Sequence, residues 1–540
     1  MSKYYYPEEM KADFNRYPQF RDKLYCRGFL FTDKRVMDIS GYPFYENWNE
    51  CELRNAEHSY YIYTHKNNTV YIYKNEETIH FLVGHAYNPF NMETQENRIL
   101  EELSVALKRS EKEYWEKESE LTGVFCIGFI RQGDVTYSTD TAGMQLVYHG
   151  TVKGYLYITS HSKLVADLEG LEQTEYIKRL TSRKLWKLWG RWLPGDVSPF
   201  AELKRMVPNC KAIYKGEDKT ISVERYFPAT AIYETKSKEE FENTIHELGE
   251  IMANTMTCIA NKWPDRKIAI SVTGGKDSMT TLACSRDNYD KFSYFSYISN
   301  EDEAVDAYAA RDILGHLGLN HTIIEIPDES EDYEGLEVFR KVLQCNNGCI
   351  GANNDNDVKK RMYFVKHPPC DIEVKSWVNE TGRGWEYNKY NKKRFPKYPY
   401  PGYWRAMHKA YVEPWIIKQT DKVFSDYLER YYSREVFDKL NWTELYFWEF
   451  ASSACEGSNL TTEHKVSYNI TIPFNNRKYI AKMLTVPLEK RKTEGIPNAL
   501  IQYMEPRITE TGISIHDVSH TNFRAFALKI YLAIFSKIRF

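Results

Sequence analysis

The sequence has no apolar stretch long enough to cross a bilayer; its longest near the carboxyl end, residues 525–538, is interrupted by Lys529 and Lys537. No apolar segment precedes the acidic pair Glu8 and Glu9, so a secretory leader is not expected and the expected location is the cytoplasm. Net charge is nearly absent. Lys and Arg number 72 against 75 Asp and Glu, leaving −3 over 540 residues, so no sequence-wide basic field exists to hold nucleic acid or anionic lipid. Cysteine is scattered: of ten residues only Cys345 and Cys349 fall close together, with no second pair at zinc-site spacing, which favours buried thiols over a metal centre. No internal repeat or low-complexity block occurs. What is present is apolar mass. A hydrophobic content of 42% with 15% aromatics supplies sizeable cores and excludes a disordered scaffold.

Two halves differ in pattern. Between Tyr60 and Ile79 the alternating runs Tyr-Tyr-Ile-Tyr-Thr and Thr-Val-Tyr-Ile-Tyr flank the polar turn Lys66-Asn67-Asn68, which predicts a β-hairpin. Ile99, Leu100, Leu103, Ala106 and Leu107 predict a helix over 96–120, and strands are expected at 123–131, 135–138 and 155–159. This half reads as α+β with antiparallel sheets. Ser237-Lys238-Glu239-Glu240 is a capping box before an amphipathic run, placing a boundary just upstream and giving units over 1–228 and 235–540. Strands at 267–272, 292–298 and 321–326 then alternate with helices at 277–284 and 304–317, predicting a parallel sheet with crossovers. From Phe424 onward the chain reads as mainly helical, including a helix over 442–455.

The run Ser271-Val272-Thr273-Gly274-Gly275-Lys276-Asp277-Ser278 falls where a strand ends and a helix begins. Two glycines let backbone N–H groups approach an oxyanion, and the helix N-terminus favours negative charge. Thr273 and Ser278 add hydroxyls and Lys276 a cation, while Asp277 either holds Mg²⁺ through a hard oxygen or caps the helix. The plain alternative is a glycine-rich turn. Residues 273–278 resemble the Ser-Gly-Gly-x-Asp-Ser pyrophosphate loop of the ATP pyrophosphatases, with Thr for the first Ser. Within that superfamily the chain is similar to the asparagine synthetase and β-lactam synthetase group. Leu121-Thr122-Gly123-Val124-Phe125, Asp140-Thr141-Ala142-Gly143 and Ser160-His161-Ser162-Lys163 are similar to the strands behind that group's glutaminase site. Leu193-Pro194-Gly195 with Phe200, Leu203 and Val207-Pro208 resembles the segment leading into its synthetase half. The resemblance implies an α/β and α+β fold class: an N-terminal Ntn-hydrolase-like αββα sandwich, then a parallel-sheet PP-loop domain (adenine nucleotide α-hydrolase-like) with a helical C-terminal part. It also implies ATP and Mg²⁺, with the adenine near the backbone of Val272 and Tyr297.

Departures from the family pattern bear on chemistry. Its active glutaminases use a cysteine directly after the initiator Met, where Ser2 stands here, and Leu82-Val83-Gly84-His85 carries Val in place of the oxyanion-stabilising Asn. The first unit is therefore expected to be structural, without ammonia from glutamine. Cys26 is either a nucleophile exposed by cleavage after Tyr25 or a buried strand cysteine. Residues 374–384 occupy the place of the family's Gly-Glu-Gly-x-Asp-Glu loop, and only Glu380 matches. The resemblance makes Glu380 a substrate-side acid and a metal ligand beside Asp277. Arg383 stands where acids are expected; it binds pyrophosphate or a substrate carboxylate, or forms a surface ion pair with Glu380. In Lys490-Arg491-Lys492 the resemblance assigns Lys492, or alternatively Lys490, to stabilise departing pyrophosphate, unless the cluster is a solvated charge run. Residues 300–303 with Asp306 are either ligands at the sheet edge or a solvated helix start. Ile472-Pro473-Phe474-Asn475-Asn476 resembles the family's Pro-Phe-Leu-Asp turn. The basic and aromatic residues between 385 and 411 read as an RNA-stacking surface, a lid or a loop.

The activity implied is an ATP-dependent ligase that adenylates a small-molecule or peptide carboxylate, releases pyrophosphate, and lets an amine or ammonia form an amide or lactam. The alternatives are a PP-loop sulfurtransferase adenylating an RNA base and a noncatalytic nucleotide-binding protein. Nucleic-acid and membrane partners are not expected, and a homodimer stays open.

Overall fold

The structure, a computed structural model, describes residues 3–540 apart from 56–57, 185, 187–191, 329–332, 352–353, 410 and 514–521. The fold is mixed α/β with three sheets. Two of them, six-stranded and antiparallel, form the first half. One runs in the order Lys204–Arg205, Tyr148–Val152, Tyr155–Thr159, Phe29–Thr32, His58–His65, Trp48–Asn55. The other runs Thr220–Arg225, Cys210–Lys215, Asp134–Thr139, Thr122–Arg131, Thr78–Tyr87, Val70–Lys74. Alternating strand residues from both meet in one core, where the Phe31 and Phe81 rings lie 5.1 Å apart beside Ile62, Val83 and Val124. Helices Glu96–Arg109 and Glu111–Glu118 cover the outer face of the second sheet through Ile99, Leu103 and Tyr114.

Two expectations fail here. His58–His65 pairs with Phe29–Thr32 and Trp48–Asn55, whereas Val70–Lys74 pairs with Thr78–Tyr87, so no hairpin forms across Lys66-Asn67-Asn68. That turn carries the chain between facing sheets. Turn chemistry reverses the chain but does not choose its hydrogen-bond partner. The helix expected over 96–120 breaks at Ser110, which is extended (φ −168, ψ 154) and accepts a hydrogen bond from the Glu113 N–H, opening a second helix.

In the second half the capping box of Ser237 and Glu240 opens α1 (Lys238–Lys262). There follow β1 (Ile268–Ser271), α2 (Lys276–Cys284), β2 (Ser293–Ile298), α3 (Glu301–His316), β3 (His321–Glu325), α4 (Leu336–Asn346), α5 (Asp355–Lys366), β4 (Ile372–Val374) and β5 (Asn469–Thr471). The five strands form a parallel sheet in the order β3-β2-β1-β4-β5. From β1 the chain builds outward to one side and returns on the other, so the carboxyl end of β1 is the topological switch point where parallel sheets open a crevice. The strand β5 lies in the stretch read as helical. Residues 442–455 also depart from an ordinary helix, running from Trp442–Leu445 into the π-helix Tyr446–Gly457. Among the described residues no helix is long and apolar enough to cross a membrane.

The halves interlock. Pro7–Arg16, Ser162–Glu169 and α4 jointly cover the outer face of the first sheet, with Phe339 5.5 Å from Phe20 between ring centroids. Asn475 Nδ2 donates to the Gly123 carbonyl at 2.6 Å and to Asp140 Oδ1 at 2.9 Å, while its Oδ1 accepts from the Ala142 N–H at 2.9 Å. Two motifs far apart in sequence thus meet at the seam, beside the buried Arg477–Glu118 ion pair.

Candidate functional site

Beyond β1 the Val272 N–H donates to the Phe295 carbonyl at 2.9 Å, so sheet pairing holds the chain up to the glycine loop. The loop then turns into α2 with Gly275 at the N-cap. Ser278 Oγ staples the turn: it accepts from the Thr273 N–H at 3.1 Å and donates to the Thr273 carbonyl at 2.9 Å. The Gly275 N–H donates to Thr273 Oγ1 at 3.2 Å. A cavity of about 260 Å³ opens at this end of the sheet, and Ser271, Val272, Thr273, Asp277, Ser278 and Tyr297 all line it. Opposite them stand Glu303 and Asp306 from α3 and Lys375, Ser376 and Trp377 after β4. Lys276 turns away, its Nζ donating to Asn498 Oδ1 at 2.7 Å.

An acid already stands close to the loop. A Cβ on Gly274 would lie 3.1 Å from Asp306 Oδ1 and 3.2 Å from Ala309 Cβ, so α3 approaches the glycine backbone tightly. Burial pushes the Asp306 carboxyl above its usual pKa, opposed by the polarity of the nearby Gly274 N–H. Of the acidic helix start, Asn300 caps α3 by accepting from the Glu303 N–H at 2.9 Å, and Glu303 and Asp306 face the cavity. Glu303 pairs with Lys360, whose ammonium stands 4.7 Å over the Tyr297 ring. Burial raises the Glu303 pKa, but bonds from Lys360 and Ser299 outweigh it and hold the carboxyl below its usual range.

Asp277 Oδ1 accepts from Asn379 Nδ2 at 2.7 Å and from Arg383 Nη1 at 2.6 Å. Arg383 is buried, with Nη2 3.7 Å from Glu494, so it does not stand at the surface. Mg²⁺ in nucleotide sites is typically held by one or two carboxylates plus phosphate oxygens. Asp277, on the wall of the cavity, fits that requirement. Glu380 lines a second cavity across the loop, and among the described residues no group of three or more His, Cys, Asp or Glu side chains makes a metal site by itself. Lys492 lines neither cavity; its Nζ donates to Glu489 Oε1 at 2.8 Å and lies 5.7 Å from the Tyr387 ring. Lys490 stands 3.7 Å over Phe241. The middle member of that cluster, Arg491, for which its sequence context gives no role, is buried, pairs with Glu444 and donates to the Gly382 carbonyl, bracing the loop that carries Arg383.

The second cavity, about 270 Å³, is assembled from stretches around Trp192, residues 380–389, residues 407–409 and the π-helix. Burial pushes Glu456 up to about 7, aided by the charge of Asp277 and opposed by the 2.6 Å bond from Ser452. Lys409, 3.8 Å over the Trp192 ring, is drawn down to about 7 by burial. An acid and a base brought toward neutrality in one chamber are suited to proton transfer. No local pattern announces these residues. Lys375 alone had a signal, as the first residue beyond a strand at the switch point.

In the first half Ser2 lies outside the described residues. Cys26 is buried, its Sγ 3.8 Å from the Lys465 carbonyl, and burial pushes its thiol up. In the basic and aromatic segment Tyr387, Tyr390, Tyr403 and Trp404 are buried and Arg405 pairs with Asp421, so these four rings offer no base-stacking face, while Trp385, Phe395, Tyr398 and Tyr400 are half-buried and Lys393, Arg394 and Lys397 are exposed.

No known protein family matches the chain, and no curated protein is matched either. Two solved structures show a distant likeness. A structure titled as the allosteric regulatory enzyme of purine biosynthesis has 11% identity and a TM-score of 0.24, over 49% of this chain and 58% of its own. Glutamine phosphoribosylpyrophosphate amidotransferase from B. subtilis, complexed with ADP and GMP, has 8% identity and a TM-score of 0.22, over 59% of this chain and 64% of its own. The match therefore spans less than two thirds of either structure, and similarity at this level assigns neither fold nor activity.

Proposed function

We propose that the protein is an ATP-dependent ligase that adenylates a carboxylate, releases AMP and pyrophosphate, and forms an amide or lactam with an amine or ammonia, without hydrolysing glutamine. The finer fold reading, an Ntn-hydrolase-like sandwich joined to a PP-loop domain, belongs to the same proposal. The observation that carries it is the glycine turn at the switch point, whose Thr273, Asp277 and Ser278 line the cavity and whose Gly274 backbone lies close against the Asp306 carboxylate. A glycine-rich turn between a strand end and a helix N-terminus is suited to hold a phosphate group. Asp277 and Ser278 then border the phosphates, while Val272 and Tyr297 border the adenine. Mg²⁺ bound beside Asp277 would neutralise charge developing on pyrophosphate. Arg383 orients Asp277, and the second cavity, on the other side of the same loop, receives the group to be joined. Proximity across that loop would supply much of the rate.

The test is mass-spectrometric analysis of nucleotides after incubation with Mg-ATP, a mixed carboxylate pool and ammonium or amines, beside Asp277→Ala. AMP and pyrophosphate formed only by the unaltered protein, and only with a particular carboxylate, is the expected result. ADP as the product, or absence of ATP binding by calorimetry, would overturn the proposal. Glutamine in place of ammonium should yield no product.

A further inference from the structure

The second cavity contains a carboxylate short of a donor. Glu386 is 2% exposed and lines the cavity, yet its Oε2 receives no hydrogen bond among the described residues. Lys389, also on the cavity wall, makes an ion pair with that oxygen at 3.8 Å, too long to supply a hydrogen bond. Burying such an oxygen without a donor is unfavourable, and burial accordingly pushes the Glu386 carboxyl up. The remaining charges do not relieve it. Glu380 and Glu456 add acid to the same walls, burial holds His408 well below its usual pKa, and Lys409 is committed to the Trp192 face. Trp385, Tyr446 and Phe447 line the same cavity. Aromatic faces with a buried carboxylate between them are the environment that captures an organic cation.

We infer that the second cavity binds a substrate bearing a protonated amine or guanidinium on an apolar body, the cation meeting Glu386 and the body lying against the aromatic walls. What the enzyme then does with that substrate rests on the ligase reading, but the recognition does not require ATP.

The test is calorimetric titration of the full chain with 2-phenylethylamine, 2-phenylethanol and 3-phenylpropionate, with Mg-ATP titrated separately. The amine is expected to bind at least about tenfold more tightly than the alcohol, as a charge-assisted hydrogen bond predicts. That preference should disappear in Glu386→Gln and persist in Lys389→Met, which keeps the acid. Equal binding of amine and alcohol, or preference for the acid, would overturn the inference, and this ranking in the unaltered protein decides the matter even if Glu386→Gln fails to fold. Amine selectivity without ATP binding would remove the ligase reading and leave this one standing. ATP binding without amine selectivity would do the reverse.

Discussion

Alanine at position 274 tests the phosphate loop most directly. Gly274 does not occupy the left-handed region, so alanine can adopt its backbone angles and the effect comes from the methyl group itself. That methyl would meet Asp306 Oδ1 at 3.1 Å and Ala309 Cβ at 3.2 Å. Both belong to α3, which must recede by a few tenths of an ångström, and overpacking of this kind costs about 1–2 kcal/mol of stability. The methyl also crowds the approach to the loop N–H. A backbone N–H donating to a phosphate oxygen contributes about 1.5–3 kcal/mol, so losing it weakens Mg-ATP binding roughly tenfold to 150-fold. Gly275→Ala is the control, because its Cβ would meet only the rotatable Thr273 Oγ1, at 3.3 Å. The assay is calorimetric titration of Mg-ATP onto the unaltered protein and both variants, each first shown to be folded by thermal denaturation. A folded Gly274→Ala protein that binds ATP as tightly as the unaltered one would refute the placement of phosphate on this backbone.

Arg383→Ala leaves the Asp277 carboxylate, 22% exposed, without its cation; the expected loss is about 2–4 kcal/mol. Combining it with Asp277→Ala should recover part of that loss, and strict additivity in the double-mutant cycle would contradict the pair. Lys465 is buried with its Nζ 3.0 Å from Gln145 Oε1, and burial draws its pKa from the usual 10.5 to about 8. The folded state thus binds this proton less tightly than the unfolded chain, so its contribution to stability is complete above about 10.5 and is lost as pH falls toward about 8. Lys465→Met should raise the thermal midpoint at pH 7 and flatten the stability profile across that window; an unchanged slope would exclude Lys465 as its source. Ser237→Ala removes the capping box of α1 and should cost about 1 kcal/mol in thermal denaturation, with Ser237→Asp largely restoring it.

Where local chemistry determines structure, the sequence was readable. The capping box at Ser237, the alternation that builds β1 to β3, and the glycine pair at the end of β1 are each set by residues within a few positions of one another. The break at Ser110 was missed, although Ser110 followed by Glu111 and Glu113 is a local N-cap signal. The strand β5 was not, because Asn469–Thr471 is three residues long and owes its conformation to pairing with β4. Partner choice across Lys66-Asn67-Asn68 is likewise tertiary, decided by which strand each apolar face can cover. The same distinction divides the candidate site. Thr273 to Ser278 form a contiguous motif, whereas Glu386, Lys409 and Glu456 meet only because a π-helix and two separate loops converge. Lys492 illustrates the converse, a position matched by its neighbours in sequence but turned to Glu489 in space.

The strands of the first antiparallel sheet are complete once Arg205 has been synthesised, but α4, which helps to close the sheet's outer face, ends at Asn346. A nascent chain therefore carries an incompletely covered apolar surface while about 140 further residues are made, an interval of roughly 7–28 s at ordinary elongation rates. During that interval the surface is open to chaperones or to neighbouring chains on the same message. The first sheet is thus finished by a segment encoded well after its own last strand.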